Sequence, residues 1–168
     1  MKWNCNPVRS KEPITGSDLK VLSRIARKDR EAFFQRYPDW FKLYSNRLLC
    51  VALCQGAALH FVDGLNGVKD FDVWSFFREN PGKPAIPYRR IVSQPFEYSK
   101  SGTSPIIREF IGRKVDLLFR SIPCSSDACP IVSIQHYLTE RRTQAARCLA
   151  EKAVVLIEPF QATVVWPK

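Results

Sequence analysis

The stretch Leu49–Phe77, LCVALCQGAALHFVDGLNGVKDFDVWSFF, decides how this 168-residue chain reads. An apolar run breaks at Gln55-Gly56 into a short helical segment, and turn residues follow at Asp63-Gly64 and Asn66-Gly67. A second apolar run then opens with Asp70-Phe71-Asp72. This predicts strand, glycine-bearing turn, short helix, loop and second strand. Side chains alternate across a strand, so Asp70 and Asp72 share one face, about 7 Å apart, while Phe71 enters the other. Val68, Val73, Trp74, Phe76 and Phe77 make that strand a central one. Carboxylates there are costly unless a cation or hydrogen-bond donors satisfy them, which leaves two readings: a hard-metal site, or salt bridges to Lys and Arg.

Working outward toward the N-terminus, residues 1–16 contain Pro7, Pro13 and Gly16 and no periodicity, and read as an extended lead-in. A helix is expected from Leu19 to about Arg36, capped by Ser17 or Asp18. Leu22, Ile25, Ala26 and Phe33 fall on its inner side, and Lys20, Arg24, Arg27 and Lys28 on its outer side. Pro38 ends it, and a short second helix through Trp40, Phe41 and Tyr44 leads to the first strand near Leu48.

Toward the C-terminus, ENPGKPAIPYRR excludes regular structure through its prolines, and Ile91–Tyr98 is a candidate strand. A turn over 99–104 and a helical turn over Pro105–Ile111 precede a strand over Arg113–Phe119 that carries a third acid, Asp116. From Pro130 to about Ile157 the chain reads as its longest helix, with Ile134, Leu138, Ala145, Leu149 and Leu156 inward. The tail ATVVWP reads as an edge strand or an extended cover.

An apolar content of 45% supports one core, so residues 1–168 are expected to form a single α+β domain. Its parts are the lead-in 1–16, a basic helical segment 17–47, a mixed-sheet core 48–120 and a long helix 130–158. No apolar run reaches the ~18 residues of a membrane span, and the polar start lacks the apolar core of a signal peptide. A cytoplasmic protein with no membrane partner is the expectation. Cys50, Cys54 and Cys148 lie in apolar segments and read as reduced structural thiols. Cys124 and Cys129, with only His60 and His136 as imidazoles, give poor spacing for zinc.

Net charge is +10, and the excess is uneven: residues 1–48 hold 11 Lys/Arg against 5 Asp/Glu, whereas 121–168 hold 5 against 4. The N-terminal end therefore favours an anionic partner, with nucleic acid or nucleotide phosphate first and an acidic protein second.

The order of these motifs resembles the nucleotidyltransferase superfamily, in which a strand, Gly-Gly or Gly-Ser, a helix, Asp-x-Asp on the next strand and a later third acid follow one another. The likeness is to small bacterial members with Gly-Gly-x-Ala-Leu and Lys-Asp-Ile-Asp-Leu. Those motifs are set here as Gln55-Gly56-Ala57-Ala58-Leu59 and Lys69-Asp70-Phe71-Asp72-Val73 within residues 48–120. The resemblance implies a mixed sheet of that type packed on helices. It also implies transfer of a nucleoside monophosphate from a nucleoside triphosphate such as ATP, to an RNA, protein or small-molecule hydroxyl. Asp70 and Asp72 would bind two Mg²⁺ ions, and Asp116 would ligate one and help deprotonate the acceptor. Gln55, Gly56 and Ala57 would line the triphosphate, with Lys69, Arg113 and Lys114 on its phosphates. Gln55 in place of the first glycine and Ala57 in place of a polar residue depart from the pattern. Two other readings use the same residues: a non-catalytic nucleic-acid binder on a degenerate fold of this type, acting through Lys20, Arg24, Arg27 and Lys28, and a metal-dependent nuclease.

Overall fold

The computed structural model describes residues 9–87, 90–92, 96, 98, 113–159 and 162–167. Over these the chain runs α1 (Gly16–Arg36), α2 (Pro38–Tyr44), β1 (Leu48–Cys54), α3 (Gln55–Asp63), β2 (Phe71–Arg78), β3 (Arg90–Val92), β4 (Val115–Ile122), α4 (Pro130–Glu140), α5 (Gln144–Ala150), β5 (Ala153–Glu158) and β6 (Thr163–Trp166). The strands form one mixed sheet in the order β3-β4-β2-β1-β5-β6. In it β2 and β4 run parallel, and the other neighbouring pairs run antiparallel. The architecture is α+β, with helices packed on both faces.

Alternation within the strands builds those two layers. Val51 and Leu53 of β1, with Phe71 and Val73 of β2, point toward Leu19, Leu22 and Ala26 of α1 and Ala57 and Ala58 of α3. Cys50, Ala52 and Cys54, with Trp74 and Phe76, point toward Ile134 and Leu138 of α4 and Leu149 of α5. A third cluster closes the far end of the sheet, where Phe33 meets Phe119 edge-on at 5.1 Å and Phe77 packs on both Phe119 and Tyr44.

The first helix takes its cap from Thr15, ahead of the expected Ser17 or Asp18. Thr15 Oγ1 accepts from the Asp18 amide at 3.2 Å, and Asp18 Oδ2 accepts from the Thr15 amide at 2.6 Å, a reciprocal capping box.

The long helix expected over 130–158 is corrected to two short helices and a strand. α4 stops where Arg141 turns left-handed (φ 52), and Thr143 caps a new start by accepting from the Ala146 amide. Beyond α5, Ala153–Glu158 is a buried strand between β1 and β6, a setting in which β-branched Val154, Val155 and Ile157 pack well. The tail is the edge strand β6. Of the strand expected over Ile91–Tyr98, Arg90–Val92 forms β3, and Phe96 bridges Arg113 through two 2.7 Å hydrogen bonds. The turns expected over 99–104 and Pro105–Ile111 lie outside the described residues. No helix among the described residues is long and apolar enough to cross a membrane.

Candidate functional site

The corner between β1 and α3 is sharp. Cys54 is extended (φ −130°, ψ 172°), and Gln55 directly after it sits at φ 60°. That region costs a residue with a Cβ about 1–2 kcal/mol, which is the physical reason glycine suits the position. Gln55 is held there from β5 and α5: its backbone bridges Ala153, and its Nε2 donates to Cys148 O at 3.3 Å. Gly56 comes next against other residues. A Cβ at Gly56 would stand 3.2 Å from Asn66 Nδ2 and 3.6 Å from Arg9 Nη1, and Asn66 Nδ2 donates to Gly56 O at 2.8 Å, so glycine here lets the Asn66 amide and the Arg9 guanidinium close on the backbone.

The acids lie beside this corner. Pairing places Cys54 opposite Asp72, Asp72 opposite Asp116, and Asp116 opposite Val92, so the acids occupy one row across the sheet. Asp72 and Asp116 share the face that α4 and α5 cover elsewhere; at this end the face opens into a cleft of about 290 Å³. Asp70, Asp72, Gln55, Gly56, Arg9 and Lys152 surround it, over a floor of Trp74 and Leu118. Burial, and then the Asp72 carboxylate, push the Cys54 thiol well above its usual range. Cys54 does not line the cleft, and the acidic donors offered to a cation there are the carboxylate oxygens of Asp70 and Asp72.

The other expected site residues separate into two groups. Asp116 is only 3% exposed and does not line the cleft, and among the described residues no three His, Cys, Asp or Glu side chains are gathered as a metal site. The acids that share the cleft are therefore Asp70 and Asp72, with Asp116 next to Asp72 in the sheet. Ala57 is buried in the α1/α3 layer, which accounts for an apolar residue there. Lys69 and Lys114 are exposed outside the cleft. Arg113 is buried away from it, with Nη2 lacking a hydrogen-bond partner. Desolvation lowers its pKa, opposed by Tyr98, Asp70 and Glu12.

Two cations in the cleft had no signal in the sequence. Arg9 arrives because Ser10 and Val68 form a bridge (N···O 2.8 and 2.7 Å) and its Nη1 donates to Gly67 O at 3.2 Å. Lys152 arrives because the next residue, Ala153, is the bridge partner of Gln55. His60 fastens the Arg9 segment from below. Its Nδ1 accepts from the Gly67 amide at 3.0 Å, so Nε2 carries the proton and donates to Glu12 O at 2.9 Å. Tyr98 Oη donates to the same Glu12 oxygen.

The basic stripe of α1 lies elsewhere. Lys20, Arg24, Arg27 and Lys28 are all exposed, and the first three border a groove of about 480 Å³ beside Ile157, Glu158 and Pro159. Arg27 pairs with Glu158 at 3.4 Å. Buried Arg30 bonds both Glu158 (3.3 Å) and Ser75 (3.2 Å), tying α1 to the sheet.

No protein-family model matches the chain, nor does any curated protein or solved structure.

Proposed function

We propose that the protein is a Mg²⁺-dependent nucleotidyltransferase that moves a nucleoside monophosphate from a nucleoside triphosphate to an acceptor hydroxyl. The observation that carries this reading is one cleft bordered by the Gln55-Gly56 corner and by Asp70 and Asp72, with Asp116 in register beside Asp72. The acidic side chains lining the cleft are the carboxylates of Asp70 and Asp72, oxygen donors that suit a hard divalent ion. Asp70 and Asp72 would hold Mg²⁺, and Asp116 would complete the ligation from the neighbouring strand. When bound, the ions neutralise charge on the phosphoryl oxygens.

In the transfer, the acceptor oxygen bonds to the α-phosphorus as the bond from that phosphorus to the leaving pyrophosphate oxygen breaks. The acceptor's proton would pass to a carboxylate of the cleft, Asp70 or Asp72, with Asp116 buried beside Asp72. Such in-line displacement depends on positioning and charge stabilisation, which this equipment supplies without a covalent nucleophile. RNA, a protein hydroxyl or a small molecule fits as acceptor, and the basic α1 face favours RNA.

Incubation with labelled nucleoside triphosphates, Mg²⁺ and candidate acceptors tests this. Label transfer is expected in the wild type and lost in Asp70→Asn and Asp72→Asn at unchanged folding. Equal transfer by those variants overturns the reading.

The exposed α1 stripe and its groove favour a second reading, a nucleic-acid binder without catalysis. It predicts steeply salt-dependent binding that is indifferent to Asp70 and Asp72 substitution. A nuclease using the same acids would cleave RNA or plasmid with no triphosphate present.

A further inference from the structure

Two isolated β-bridges flank the Gln55-Gly56 corner, and next to each stands a cation that lines the cleft. Ser10–Val68 sets Arg9 on the Gly56 side, and Gln55–Ala153 sets Lys152 on the other. We propose that Arg9 and Lys152 form a two-sided clamp for the polyphosphate of the ligand, in the cleft beside the Gln55-Gly56 corner. This rests on the nucleotidyltransferase reading and extends it to residues outside the resembled stretch 48–120.

The chemistry of the cleft selects a polyphosphate over a simple anion. Arg9 and Lys152 line the same cleft as the carboxylates Asp70 and Asp72, so cationic and acidic groups stand within one site. A chain of phosphates separates these interactions. Its inner oxygens approach the carboxylates through Mg²⁺, and its outer oxygens reach the guanidinium and the ammonium. Arg9 already lies within van der Waals reach of the position a Gly56 Cβ would take, so its guanidinium borders the backbone past which the chain would run. The volume of about 290 Å³ fits a phosphate chain, being at the lower limit of the roughly 300–1,000 Å³ that whole drug-sized ligands fill. Arg9 and Lys152 are exposed, and neither forms an ion pair with Asp or Glu among the described residues, so both are available to a ligand.

Calorimetric titration of the full chain with inorganic tripolyphosphate and with orthophosphate, with and without Mg²⁺, tests the clamp. Wild type is expected to bind tripolyphosphate in a Mg²⁺-dependent manner, at least about tenfold tighter than orthophosphate. Arg9→Ala and Lys152→Ala are each expected to weaken tripolyphosphate by about tenfold or more, the loss of one charge-assisted contact, with the melting temperature unchanged in Lys152→Ala and a cooperative unfolding transition kept in Arg9→Ala, which also loses its bond to Gly67 O. Lys42→Ala and Lys83→Ala, at exposed sites away from the cleft, should bind as wild type. Undiminished binding in both cleft variants, or equal losses in the two controls, overturns the clamp. The two proposals fail separately. Label transfer by wild type with undiminished tripolyphosphate binding in the cleft variants removes the clamp and leaves the transferase. Binding that depends on Arg9 and Lys152 with no label transfer by wild type removes the transferase and leaves the clamp.

Discussion

Asp72 and Asp116 are register partners in the parallel pairing of β2 with β4, side by side on one face of the sheet. Adjacent strands are only about 4.8 Å apart, so an ion held by one carboxylate lies within reach of the other. Saturating Mg²⁺ should therefore stabilise the fold. At a hundred times its dissociation constant the ion adds about 2.7 kcal/mol, which for a chain of this size raises Tm by roughly 5–10 °C. Differential scanning fluorimetry is expected to show that shift in wild type, none in Asp72→Asn and a reduced one in Asp116→Asn. The same shift in all three proteins would mean that the ion binds elsewhere.

Gln55 combines a cost and a gain that nearly cancel. Its left-handed backbone costs about 1–2 kcal/mol, and its side-chain bond to Cys148 O returns about 1 kcal/mol. Gln55→Gly should leave stability within about 1 kcal/mol of wild type. Gln55→Val keeps the strain, loses the bond and adds a β-branch, and should lose about 2 kcal/mol or more. Urea midpoints that rank the two in the opposite order would contradict this account of the corner.

His60 is only 2% exposed and makes two hydrogen bonds, to the Gly67 amide and to Glu12 O. His60→Ala strips a buried amide and a carbonyl of this partner and opens a cavity, at an expected cost of about 2–4 kcal/mol. The loss should be local before it is global. In hydrogen exchange the amides of Ser10 and Val68, which bond each other's carbonyls, should lose protection first while β1 amides keep theirs.

Gly64 and Gly67 share nearly the same backbone (φ +67° and +71°) but not the same surroundings. A Cβ at Gly64 meets nothing within 4 Å, whereas one at Gly67 stands 2.9 Å from Arg9 Cβ and 3.2 Å from Ser10 O. Gly64→Ala should cost about 1 kcal/mol, the conformational penalty alone. Gly67→Ala should cost more, about 2–3 kcal/mol, because the Arg9 segment must also shift. It should weaken tripolyphosphate as well, while Gly64→Ala leaves that affinity unchanged.

The parts legible in the sequence were those governed by local rules. The strand–corner–helix–strand order of Leu48–Arg78 follows from apolar runs broken at Gln55-Gly56 and at the Asx turns, and α1 follows from its apolar stripe. The C-terminal third departs from a single helix although Ile134, Leu138, Ala145 and Leu149 keep helical spacing across the break at Arg141. Thr143 as a cap and the β-branched Val154-Val155 pair carried the contrary signal. Asp70 and Asp72 could be placed on one face from alternation alone. Arg9 and Lys152 could not, since they meet across the cleft through backbone bridges between distant segments, and no local pattern encodes such a bridge.

The alternation that aims Asp72 into the cleft also guards the assembly of the sheet. Were β2 to pair one residue out of step, Asp72 would enter the layer beneath α1 and α3, and Phe71 and Val73 would trade a dry interior for the opposite side. A carboxylate buried without compensation makes such a mispaired state far less stable than the native one. The same acidic side chain thus disfavours a slipped pairing of β2 independently of any ligand.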